Sequence, residues 1–137
     1  MNGVEFFVYG TPAPQGSKKP YGNGRIEASE LVKPWREAVK WAWIDMRNRG
    51  IVEKIMGPVI VDTMFYFQRP KKPKYEFPCV KDVDKLLRST NDALTQCGAI
   101  EDDRFIVVGS FGKVFAGSLS YGLQQPGATI KIRRAGQ

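Results

Sequence analysis

Among the 137 residues there is no histidine. That absence excludes serine–histidine and cysteine–histidine nucleophilic catalysis, imidazole acid–base chemistry and histidine-ligated metals together. Cysteine is scarce as well. Cys79 and Cys97 cannot supply a four-ligand zinc site, and two thiols make no disulfide framework, so both are expected to be reduced. No stretch reaches the roughly 18 to 20 uncharged apolar residues that span a membrane. The start, MNGVEFFVYG, lacks the basic region, long apolar run and cleavage site of a signal peptide. A cytoplasmic protein without membrane association is expected. Any catalysis must run on carboxylates, lysines or a hard metal.

What is present is positive charge, unevenly spread. The formal net charge is +7, which suits a polyanionic partner. Residues 82 to 103 run against it, with six acids (Asp82, Asp84, Asp92, Glu101, Asp102, Asp103) and two bases (Lys85, Arg88). The rest holds 19 bases and 8 acids. A basic body with one acidic window suits a metal-dependent nuclease, which needs a surface for phosphates and a carboxylate cage for a cation. A solvated acidic loop on a basic protein gives the same pattern.

The length and the 42% hydrophobic content suit a single domain covering 1–137. Val4 to Tyr9 reads as a first strand, closed by Gly10 and the turn Pro12-Ala13-Pro14. Ser17 to Arg25 reads as a basic loop with Lys18, Lys19 and Arg25 available to phosphate. From Pro34, suited to a first helical turn, Trp35, Ala38, Val39, Ala42, Trp43 and Met46 recur at helical spacing as far as Arg49-Gly50. Trp41 and Ile44 lie off that stripe and predict a second buried face, at a sheet or at a dimer interface. Val59 to Phe67 alternates as a central strand. The run Arg69-Pro70-Lys71-Lys72-Pro73-Lys74-Tyr75 breaks regularity and suits either a phosphate clamp, with Tyr75 and Phe77 to stack on a base, or a solvated linker. A helix from about Asp84 to Gly98, a strand from Phe105 towards Phe115 and a strand over Ala128–Arg133 complete the order β-α-β-α-β-β. The fold class is α+β, with two helices on a mixed sheet.

Asp82 and Asp84 alternate in an extended segment, so their carboxylates point to one side and can share a cation. Asp103 follows the second helix, whose roughly 14 residues span about 21 Å. The three meet only if the chain doubles back after Gly98 or the third strand lies beside the Asp82 segment. Given closure, three carboxylates suit Mg²⁺, with Mn²⁺ as a substitute. Arg88, permanently protonated, would stabilise phosphate charge and could not act as a base; Lys85 lies one residue after Asp84. Duller roles exist: an N-cap for Asp84, a turn for Asp82, a capped polar loop for Glu101-Asp102-Asp103.

The run Asp82-Val83-Asp84-Lys85-Leu86-Leu87-Arg88-Ser89-Thr90-Asn91-Asp92-Ala93-Leu94, followed by Gly98 and Glu101-Asp102-Asp103-Arg104, resembles the RusA family of Holliday junction resolvases. The first strand, the Pro-x-Pro turn, the basic loop and the tryptophan-bearing helix fit as well. The resemblance implies a homodimeric, Mg²⁺-dependent endonuclease of phage or prophage type that nicks opposing strands of a four-way junction. It places Asp82, Asp84 and Asp103 in the catalytic carboxylate positions and implies the fold-back that spacing leaves open. Lys85 stands where the family usually has Asn, and Arg88 where it has Lys. Two other readings stay open: a nuclease of forks or flaps, and a module that binds branched DNA without cutting it.

Overall fold

Alternation and turn chemistry account for the sheet that carries the molecule. In the computed structural model, residues 3–16 and 24–136 are described, 24–29 as backbone only. Four strands, β1 (Gly3–Tyr9), β2 (Val59–Phe67), β3 (Ile106–Phe115) and β4 (Gly127–Arg134), form one mixed sheet in the order β1-β4-β2-β3. β4 is antiparallel to both β1 and β2, and β3 is parallel to β2. The alternation expected of β2 holds: Val59, Val61, Thr63, Phe65 and Phe67 are all buried. They share one face with Val4, Phe6 and Val8 of β1 and Ile130 and Ile132 of β4, and this face meets the helices.

Two helices, α1 (Gly24–Asn48) and α2 (Val83–Gln96), supply the other layer. Trp35, Val39 and Trp43 of α1 are buried, with Ala38, Ala42 and Met46 packed against the same core. The Trp43 ring meets Phe6 edge-on, centroids 5.8 Å apart. The Trp35 indole N–H donates to Thr90 Oγ1 at 3.0 Å and ties α1 to α2. Leu86, Ala93 and Leu94 bury the inner side of α2, and Gly98, at φ +82°, lets the chain leave the helix in the left-handed conformation that suits glycine. The architecture is α+β in the order β-α-β-α-β-β, with one added 3₁₀ turn at Asp103–Phe105.

The expected start of the first helix fails. The first long helix begins at Gly24, so Pro34 lies inside it rather than in its first turn. A proline there removes an N–H bond and crowds the preceding turn, costing about 3 kcal/mol. The helix-favouring Glu27, Ala28, Glu30, Leu31 and Lys33 and the packing of Val32 on the core oppose that cost. Arg25 therefore belongs to α1 and not to a loop. Of the second face of α1, Ile44 packs on the core and Trp41 is 61% exposed in the single chain.

Candidate active site

The acidic window straddles α2. Asp82 is the N-cap residue, in extended geometry at φ −69° and ψ 125°, yet its carboxylate makes no capping bond. It pairs instead with Lys85 Nζ at 3.5 Å, both groups well hydrated, a contact worth under about 1 kcal/mol. Asp84 sits in the first turn, exposed, where the helix dipole favours its negative charge. Among the described residues neither Asp84 nor Arg88 enters an ion pair. The duller reading of Asp84 as the N-cap is therefore not the one found.

These two aspartates line one open hollow with Cys79, Val80, Lys81, Val83 and Lys113. Sequence reasoning misses Lys113. It comes from β3, and its Nζ donates to the Lys81 carbonyl at 2.7 Å, so the sheet delivers a cation to the carboxylate pair. A lone lysine directly before the buried Val114-Phe115 of an otherwise apolar strand is the signal that could have found it.

At the far end of α2 the three acids divide their work. Glu101 Oε1 accepts the Gly57 N–H at 2.6 Å, a structural role. Asp102 caps the 3₁₀ turn by accepting the Arg104 N–H at 3.0 Å. That bond, followed by a shared hydrogen bond with Asp103, holds Asp102 below the usual carboxylate range. Asp103 is pushed up, first by the hydrogen bond to Asp102, then by modest burial and the charges of Asp102 and Asp92.

The third strand does lie beside the Asp82 segment, but by its wrong end. β3 starts three residues after Asp103, whereas its contact with Lys81 is made at Lys113. Seven strand steps from Ile106 to Lys113 amount to about 23 Å, close to the roughly 21 Å of the 14-residue α2. Both lengths separate the end of α2 and the start of β3 from the Asp82–Asp84 segment. Among the described residues no three acidic, cysteine or histidine side chains are placed to hold one metal ion. The carboxylate donors of Asp82, Asp84 and Asp103 have the chemistry of a hard-cation site.

The expected phosphate contacts divide in the same way. Lys18 and Lys19 lie outside the described residues, and Arg25 is described as backbone only. Arg69, Lys71, Lys72 and Lys74 are all exposed on the irregular segment between β2 and α2, and Lys74 lies over the Tyr75 ring at 5.6 Å. Tyr75 and Phe77 are exposed there. The Pro-x-Pro turn is fixed against α2: Ser89 Oγ donates to the Ala13 carbonyl at 2.6 Å and the Gln15 N–H to the Lys85 carbonyl at 3.0 Å. The cations on α1 have other partners. Arg36 reaches Gln15, Lys40 pairs with Glu37, and Arg47 donates to the Cys97 carbonyl. Neither cysteine is in a disulfide, and burial pushes the Cys97 thiol up.

An α+β domain with exposed carboxylates at both ends of one helix and cations on the segment leading into it has the make-up of a carboxylate nuclease. The family model of endodeoxyribonuclease RusA matches residues 10–133, and the chain belongs to that family. It is thereby a Holliday junction endonuclease in general terms, acting on branched DNA. A comparison with curated proteins finds no match. Among the described residues no helix is long and apolar enough to cross a membrane.

Proposed function

We propose that the chain is a Mg²⁺-dependent endodeoxyribonuclease that resolves four-way DNA junctions by paired symmetric nicks, as a homodimer in the bacterial cytosol. The observation that carries this reading is the exposed pair Asp82–Asp84, free of capping bonds and lining one hollow with Lys113. Asp103 is the third carboxylate. The separation along α2 and β3 favours two chains over one, with Asp103 of a second copy joining Asp82 and Asp84 of the first. A twofold dimer makes two such sites, and two symmetric nicks need two related sites.

When bound, the metal supplies a water of lowered pKa and positive charge for the phosphoryl oxygens. The protein's own groups do the rest. Arg88, on the second turn of α2, gives its guanidinium to the negative charge that develops on the phosphate, and stays protonated throughout. Lys85 and Lys113 offset the carboxylates' repulsion of the incoming backbone. Arg69, Lys71, Lys72 and Lys74, with Lys18, Lys19 and Arg25, bind the arms through phosphate contacts, which position the junction without reading its sequence.

Incubation of the protein with a synthetic four-way junction tests the reading. Paired nicks that need Mg²⁺, accept Mn²⁺, stop with chelator and vanish in Asp82→Asn, Asp84→Asn and Asp103→Asn are expected. Faster cutting of forks or flaps would make it a nuclease of those substrates. Salt-sensitive junction binding without any nick would make it a binding module.

A further inference from the structure

Along α2 three charged residues, Asp84, Arg88 and Asp92, follow one another at intervals of four. Side chains spaced by four lie one above the next on a helix, and opposite charges so placed attract. Arg88 nonetheless pairs with neither acid among the described residues. Asp92 has another partner, because its Oδ2 accepts the side-chain amide of Gln15 at 2.8 Å.

Gln15 is itself held on two sides. Arg36 Nη1 donates to its Oε1 at 3.4 Å, and its backbone N–H donates to the Lys85 carbonyl at 3.0 Å. A guanidinium can only donate and a carboxylate can only accept, so an amide between them has one orientation, oxygen to Arg36 and nitrogen to Asp92. All three side chains are partly buried, where hydrogen bonds to charged groups are strong. Glutamine suits this place by its neutrality. Glutamate would repel Asp92, and lysine or arginine would face the Arg36 guanidinium.

Arg88, by contrast, is exposed. Stabilising phosphate charge requires its guanidinium unpaired, and a carboxylate one turn away competes for it. We propose that Gln15 is a positioning residue: its amide, oriented by Arg36, keeps the Asp92 carboxylate off Arg88 and leaves that guanidinium open to the scissile phosphate. The proposal rests on the role given to Arg88 under Proposed function and adds the residue that protects it. Gln15 acts only through Asp92.

The test uses the full chain. Removing the Gln15 side chain leaves its segment anchored, because the bonds to the Lys85 carbonyl and from Ser89 Oγ to the Ala13 carbonyl involve only that segment's backbone. Single-turnover nicking of a four-way junction is measured well above the carboxylate range, so that the charge of Asp92 on Asp103 does not alter the ionisation of Asp103. Gln15→Ala should nick about threefold more slowly, the scale of an ion pair at this spacing, with junction affinity unchanged. Gln15→Glu should be slower still. Asp92→Asn should nick at the wild-type rate and, added to Gln15→Ala, should restore that rate. A Gln15→Ala variant as fast as wild type, a double variant as slow as Gln15→Ala, or a slow Asp92→Asn would each overturn the proposal.

A readout without DNA separates the two levels. The Arg88 Nε–H signal in nitrogen-15 spectra, assigned by its loss in Arg88→Lys, should exchange with water more slowly in Gln15→Ala and return to the wild-type rate in the double variant. If it does so while wild type never nicks, the nuclease reading falls and the Gln15 contact keeps its effect on Arg88. If wild type nicks but neither the rates nor this signal respond to Gln15→Ala, the role of Gln15 is wrong and the nuclease reading stands.

Discussion

Lys113 and Lys81 are joined by a 2.7 Å bond from an ammonium to a backbone carbonyl, and through it the sheet holds the segment that carries Asp82 and Asp84. Lys113→Met should fold normally but nick a four-way junction about tenfold more slowly, equivalent to about 1.4 kcal/mol. Junction affinity should change little, because only one cation of many is removed. Lys113→Arg should recover part of the rate. Single-turnover rates beside binding isotherms check this, and equal loss of affinity and rate would make Lys113 only another phosphate contact.

The acid pair at the other end of α2 gives a pH dependence of known sign. Asp103 is raised by its hydrogen bond to Asp102, so it takes up a proton at higher pH than an ordinary carboxylate, and activity that needs it ionised falls early as pH drops. Asp102→Ser keeps an oxygen to cap the 3₁₀ turn but removes the neighbouring charge. The acid limb of the pH–rate profile should move to lower pH in that variant. An unmoved limb would show that Asp103 does not govern it.

Much of the fold is legible in the sequence because its signals are local. The alternation from Val59 to Phe67, the turn at Gly98 and the tryptophan stripe from Trp35 to Trp43 each depend on near neighbours, and each appears as read. Pro34 misleads because a local rule for helix starts is outweighed by the helix formers before it. The site is legible only in part. Asp82 and Asp84 are neighbours in sequence, but the position of Asp103 depends on the direction of β3 relative to α2, and Lys113 is placed by a parallel β2–β3 register that no short window of sequence encodes.

The hydrogen bond between Trp35 and Thr90 should be visible in stability. Thr90→Val keeps the shape but leaves a buried indole N–H without its acceptor, which costs about 1–3 kcal/mol. The urea midpoint should fall with the slope unchanged. A midpoint equal to wild type would mean that the indole finds another acceptor.

The exposed cations between β2 and α2 should act through phosphates alone. Replacing Arg69, Lys71, Lys72 and Lys74 together with glutamine should weaken binding to junctions and to linear duplex alike. The salt slope should fall by about 0.9 for every phosphate that is no longer neutralised. Fluorescence anisotropy across a salt series reads this directly, and an unchanged slope would make the segment a solvated linker.

The most direct measurement mixes two dead variants. Asp82→Asn and Asp103→Asn homodimers should each fail to nick. After unfolding and refolding together, the mixed dimer carries one site with both substitutions and one with neither, so nicking of one strand should return to a substantial fraction of the wild-type rate. If both variants are inactive, wild type is active and the mixture stays inactive although mixed dimers form, the carboxylates act within one chain and the two-chain account is contradicted.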